Sequence, residues 1–122
     1  MQNPICWFEL PVIDIERAAR FYEEVFAISL RRESCGGHPL AVFPYEAPQP
    51  SGALVQMPQL EPRNNGTLVY LNGGEDLNLV LERIRSAGGE VMMEKTSIGE
   101  DIGHIALFLD SEGNRVGLHS LR

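Results

Sequence analysis

Two helix starts of the same kind, about half a chain length apart, constrain what this sequence can fold into. Asp14 and Asp76 each stand where a helix N-cap belongs, after a strand-like run and before a stripe of apolar residues at helical spacing. After Asp14 the packing face is Ala18, Phe21, Tyr22, Val25 and Phe26, which predicts a helix from Asp14 to Phe26. After Asp76 it is Leu77, Val80, Leu81 and Ile84, and Ala87-Gly88-Gly89 stops the helix. Each helix is preceded by one strand-like run, Ile5 to Val12 or Thr67 to Asn72. Three such runs follow each helix. In the first half they are Ile28 to Glu33, Leu40 to Tyr45 and Gly52 to Met57. In the second half they are Glu90 to Lys95, His104 to Asp110 and Arg115 to Ser120. Ser111-Glu112-Gly113-Asn114 reads as the hairpin turn before the last of them. Gln59 to Gly66, with Pro62, Asn64, Asn65 and Gly66, reads as the connector.

The prediction is therefore a single α+β domain over residues 1–122, made of two βαβββ modules at about 4–58 and 66–121, joined by a connector at about 59–66. A length of 122 residues leaves little room for two independent cores.

A formal net charge of −7 makes nucleic acid and anionic lipid surfaces poor partners, because both repel an acidic protein. It favours neutral or cationic small ligands, although much of it serves solubility. No run approaches the roughly 20 apolar residues of a membrane span, and the N-terminus lacks a secretory pattern, so a cytoplasmic setting with reduced thiols is expected. The two cysteines, Cys6 and Cys35, form no CxxC or Cys/His cluster. Cys6 is expected as a buried small apolar residue, and Cys35 and His38 as exposed. Met92-Met93 reads as strand core, and His104 as a structural or surface residue rather than an acid or base.

Several stretches in this order resemble one family. They are Trp7-Phe8-Glu9-Leu10-Pro11-Val12-Ile13-Asp14 followed by Ala19-Arg20-Phe21-Tyr22, then Ala87-Gly88-Gly89 with the loop Lys95-Thr96-Ser97-Ile98-Gly99, and finally Phe108 to His119. The last resembles an Asp-Pro-(Asp/Glu)-Gly-Asn hairpin in which Ser111 replaces the proline. Together they resemble the glyoxalase/bleomycin-resistance/extradiol-dioxygenase (vicinal oxygen chelate) superfamily. The resemblance implies two modules whose mixed sheets curl around a shared cavity, often within a homodimer paired through module edges rather than helices.

Metal-dependent members of that family hold one divalent ion through His, Glu or Gln on the first and last strands of each module. Carried over residue by residue, those positions are Trp7, Gln56, a residue among Thr67 to Val69, and Gly117. Trp7 is not a usual ligand, Gly117 has no side chain, and residues 67–69 contain no His, so no inherited metal site and no cofactor are expected. A displaced set stays open, because residues two apart share a strand face. Glu9 lies on the Trp7 face and His119 on the Gly117 face, so Glu9, Gln56 and His119 either converge on a divalent metal or serve separate structural ends. Trp7 and Tyr70 are either core or an aromatic wall for a planar ligand. The expected cavity lining is thus Trp7, Glu9, Gln56, Tyr70 and His119. The reading is a glyoxalase-like protein that binds or sequesters a small molecule without metal. The alternative is a divalent-metal-dependent lyase, isomerase or dioxygenase of the same superfamily.

Overall fold

The computed structural model describes residues 3–122. Its elements are β1 (Trp7–Pro11), α1 (Ile15–Phe26), β2 (Arg31–Cys35), β3 (His38–Val42), β4 (Ser51–Val55), β5 (Tyr70–Asn72), α2 (Leu77–Ser86), β6 (Glu90–Ser97), β7 (His104–Leu109) and β8 (Arg115–Ser120). Each half builds one four-stranded mixed sheet, ordered β1-β4-β3-β2 and β5-β8-β7-β6. In both, the first strand pairs parallel with the last, because the helix carries the chain back before the remaining strands run antiparallel. The class is α+β, and neither sheet closes into a barrel.

Both helices begin as their caps dictate. The Asp14 carboxylate accepts from Arg17 N (3.1 Å) and that of Asp76 from Asn78 N (2.9 Å). Ala18, Ala19, Phe21, Tyr22 and Val25 of α1 are buried, as are Leu77, Val80, Leu81 and Ile84 of α2. The expected face included Phe26, which is only half-buried, and omitted Ala19, which is fully buried. These residues join Leu10, Leu54, Ala106, Phe108, Val116 and Leu118 in one core shared by both halves. By strand alternation the odd residues of β1 and β8 face away from that core. Val42, Ala53 and Val55 form a smaller cluster with Leu40, Met57 and Leu60.

The structure corrects several boundaries. β2 begins at Arg31 rather than Ile28, because Ala27 ends α1 in a left-handed conformation (φ 55°) and Leu30 N donates to the Glu23 carboxylate (2.8 Å). β3 begins at His38, since Gly36 and Gly37, both at positive φ, turn the chain at once and pair Cys35 with His38. Regular pairing of β5 is confined to Tyr70–Asn72. Cys6 is exposed rather than buried. Met92 is 45% exposed, because β6 is an edge strand whose register shifts on both sides of Met93.

A buried polar knot fastens the halves. The Tyr22 hydroxyl of α1 donates to Asp110 Oδ2 (2.7 Å), and Glu112 N and Asn114 N donate to Asp110 Oδ1 (both 2.9 Å). The Asn114 amide donates to Pro11 O (2.7 Å) and accepts from Arg63 N (3.1 Å), reaching β1 and the connector from one side chain. Glu112 Oε1 accepts from Ile13 N and Asp14 N (both 2.9 Å), while its Oε2 meets Arg17 Nε (2.7 Å). The β7–β8 turn of the second half thereby caps the helix of the first.

Burial pushes the Asp110 carboxyl up, against the pull of Tyr22, Asn114 and Glu112 donors, and burial beside Asp110 pushes the Tyr22 phenol well up. Burial also raises Glu112, but Arg17 and the N–H of Asp14 outweigh it and bring the carboxyl down to about 2 from 4.5. A carboxyl depressed by folding stabilises the native state fully above its unfolded value and loses that contribution as pH falls. Stability from Glu112 is therefore expected to drain away from about pH 4.5 towards pH 2, with Asp110 contributing the opposite slope. Glu112→Gln should cost about 1–2 kcal/mol in urea unfolding at pH 7, and much less at pH 2. Tyr22→Phe, which preserves the packing and removes one donor to Asp110, should cost about 1–2 kcal/mol in the same measurement.

Candidate functional site

β1 and β5 are edge strands of separate sheets. The chain before β5 runs along β8, where Arg115 N donates to Arg63 O (3.1 Å) and Gly117 N to Val69 O (2.8 Å). Between β1 and this stretch lies a cleft of about 640 Å³, walled by Trp7, Glu9, Arg63, Leu68, Tyr70 and Arg115 among others. Trp7 is 42% and Tyr70 44% exposed, unusually open for residues of their size on strands. The Trp7 indole N–H donates to Glu9 Oε2 (3.3 Å), and its ring packs edge-on against Tyr45 with centroids 6.5 Å apart. Arg63 pairs with Glu61 at the cleft (3.2 Å), whereas Glu9 and Arg115 make no ion pair among the described residues. Beside the Arg63–Glu61 pair, the cleft thus presents the rings of Trp7 and Tyr70, the carboxylate of Glu9 and the guanidinium of Arg115.

Of the five residues expected to line the cavity, the structure brings Trp7, Glu9 and Tyr70 together. Gln56 lies elsewhere: it follows the end of β4, and its Oε1 accepts from Ile15 N (2.8 Å), closing a free donor at the start of α1. His119 is half-buried in a different hollow of about 530 Å³ beside Tyr70, Asn72 and Leu121, with Nε2 2.6 Å from Ile102 O. Glu9, Gln56 and His119 therefore do not meet. Among the described residues no three His, Cys, Asp or Glu side chains are grouped as an ion would require.

Sequence reasoning passed over three residues. Arg115 shares a strand face with Gly117 and His119, which period-two alternation on the last strand could have shown. Arg63 carried no local signal, since only the folded connector brings it to the cleft. Glu112 read merely as part of a turn. His104, taken as structural, opens β7 and is half-buried, and its Nδ1 is the buried side-chain polar atom without a partner among the described residues.

The family model for the glyoxalase/bleomycin resistance protein/dioxygenase superfamily matches residues 5–118. The chain belongs to that superfamily. A glyoxylase-like domain-containing protein of Didymella fabae is 28% identical over 118 residues, covering 93% of this chain and 91% of its own. Among solved structures, a glyoxalase I variant from Zea mays has a TM-score of 0.70 at 21% identity over 98% of this chain and 47% of its own, so its likeness is one of fold. TnmS3, an antibiotic binding protein from Streptomyces sp. CB03234, has a TM-score of 0.64 at 25% identity, covering 98% of this chain and 97% of its own.

A divalent ion of the superfamily's kind does not fit the residues at the corresponding positions. Trp7 offers an indole, residues 67–69 contain no His, and Gln56 is engaged at the start of α1. At Gly117 the space beside the backbone is taken: a Cβ there would stand 2.4 Å from the ring of Tyr70, its partner across the β5–β8 ladder.

Glycine substitutions separate this close approach from a backbone requirement. Gly117→Ala should cost less than about 1 kcal/mol, since the half-exposed Tyr70 ring can swing aside into the cleft. Gly103→Ala should cost about 3 kcal/mol, since its Cβ would stand 2.2 Å from Ser120 O at a φ of +112°. Thermal and urea unfolding of both variants check the contrast.

Proposed function

We propose that the protein binds or sequesters a small organic molecule in the cleft between its two halves, and that the cleft requires no metal ion to do so. The observation carrying this reading is the cleft itself. Trp7 and Tyr70 are left open to solvent within one concavity of about 640 Å³, where the superfamily's ion-holding positions are indole and glycine. Aromatic walls with a few polar groups suit a planar ligand of low conformational freedom. Glu9, held by the indole N–H yet without an ion pair, and the net charge of −7 favour a neutral or cationic one, with the unpaired Arg115 guanidinium in the same cleft available to an acceptor atom of that molecule. The likeness to TnmS3, an antibiotic binding protein, supports binding over catalysis. As part of the same proposal the protein works in the cytoplasm as a homodimer. Pairing through sheet edges is favoured, because the apolar faces of α1 and α2 are already spent on the core.

Trp7 is the chain's one tryptophan, so its fluorescence reports on the cleft directly. Metal-stripped protein is titrated with a panel of planar aromatic compounds, cationic and neutral, with chelator present. A saturable change in Trp7 emission with a matching rise in melting temperature is expected, weakened about tenfold or more by Tyr70→Ala. Parallel titrations use Ni²⁺, Zn²⁺, Mn²⁺ and Fe²⁺ alone. A saturable rise with an ion, abolished by Glu9→Ala or His119→Ala, would overturn the metal-free reading in favour of a lyase, isomerase or dioxygenase.

A further inference from the structure

On the core side of the sheets the two halves leave a second concavity. Phe8, Phe26, Ile28 and Phe43 of the first half and Leu71 and Val80 of the second surround a hollow of about 530 Å³. Val80 is buried and the other five are half-buried, although each packs on the shared core. Apolar surface left wet within a concavity is what an apolar ligand body relieves, and the volume falls in the roughly 300–1,000 Å³ range of small-molecule pockets. Phe8 presents its ring here, whereas its β1 neighbours Trp7 and Glu9 face the other side of the sheet, towards the cleft described above.

The electrostatics of this hollow are unlike those of the molecule as a whole. In a protein of net charge −7, no Asp or Glu lines it, and its charged residue is Arg83 of α2. Arg83 makes no ion pair among the described residues, whereas Arg85, two positions on, is paired with Glu94. Several of the other polar groups nearby are committed, while the Tyr70 hydroxyl and the Asn72 amide N–H at its rim add neutral polar groups and no charge. The Ser51 hydroxyl donates to Phe43 O (3.0 Å), Gly73 N to His119 O (2.7 Å), and Gly74 N to the Asn72 carboxamide (2.9 Å). An apolar chamber with one free guanidinium is complementary to a molecule with an apolar body and one carboxylate.

We propose that this hollow is a second binding site, taking an amphipathic monocarboxylate: an alkyl or aryl acid whose body lies among Phe8, Phe26 and Phe43 and whose carboxylate meets Arg83. The hollow opens on the opposite face of β1 from the Trp7 cleft, with Phe8 and Tyr70 bordering both, and the proposal stands whether or not that cleft takes a ligand.

The test compares octanoate, 1-naphthoate, 1-octanol and octylammonium by calorimetric titration, with amide shift mapping of the ¹⁵N-labelled protein. Saturable binding of at least one acid is expected, centred on Leu71, Val80 and Arg83 and leaving Trp7 emission unchanged. Octanol should bind about fivefold more weakly than octanoate, and octylammonium more weakly again. Arg83→Gln, at an exposed position, should lower octanoate affinity to that of octanol. The proposal fails if neither acid binds at millimolar concentration, or if alcohol or amine binds as tightly as octanoate. It fails equally if the shifts centre on Trp7 and Glu9, or if Arg83→Gln lowers stability without weakening octanoate. That last result would leave Arg83 merely serving the C-terminal end of α2.

Discussion

The junction between the β7–β8 turn and the start of α1 governs how the two halves sit. A helix start leaves backbone donors that its own chain cannot satisfy, and burying them unpaired costs of the order of 1–3 kcal/mol each. Here those donors are met from three directions: Asp14 beneath, Gln56 from the end of β4, and Glu112 from the opposite half. Asp110 and Asn114 extend the junction to Tyr22, Pro11 and the connector. Because the bonds of Asp110, Asn114 and Gln56 are buried or partly buried and directional, the halves have little freedom to slide even though the core between them is largely apolar.

The position of the cleft follows from that junction. Both helices are drawn inward, so the strand faces carrying Trp7, Glu9 and Tyr70 are turned away from the core. Asn114 holds Pro11 O with its amide and Arg63 N with its carbonyl, which sets the connector beside β1 at the width of the cleft. The same residues that stabilise the fold therefore place the walls of the candidate site. Neither Trp7 nor Gly117 takes part in the junction, so the side chains of the cleft wall are set apart from the bonds that hold the frame.

Much of the fold was legible in the sequence. The Asp caps, the apolar stripes after Asp14 and Asp76, and the glycine stop at Ala87-Gly88-Gly89 are local signals, and local backbone physics placed both helices within a residue or two. Strand ends were less so. The start of β2 depends on a carboxylate seven residues earlier, Glu23 bonding Leu30 N, and the exposure of Met92 depends on β6 being an edge. Period-two alternation put Trp7 with Glu9 on one face, and Gly117 with His119 on another.

By itself, then, the sequence determined the two-module order, the helix faces, and the residue types, indole at Trp7 and no side chain at Gly117, because caps, periodicity and donor type are properties of residues and their near neighbours. Only the tertiary structure decided that Tyr70 shares a cleft with Trp7 and Glu9, that Gln56 and His119 do not, and that Glu112 caps a helix 98 residues away. Those outcomes depend on how two sheets are set against each other. That setting comes from buried hydrogen bonds between residues far apart in the chain, which no local pattern encodes.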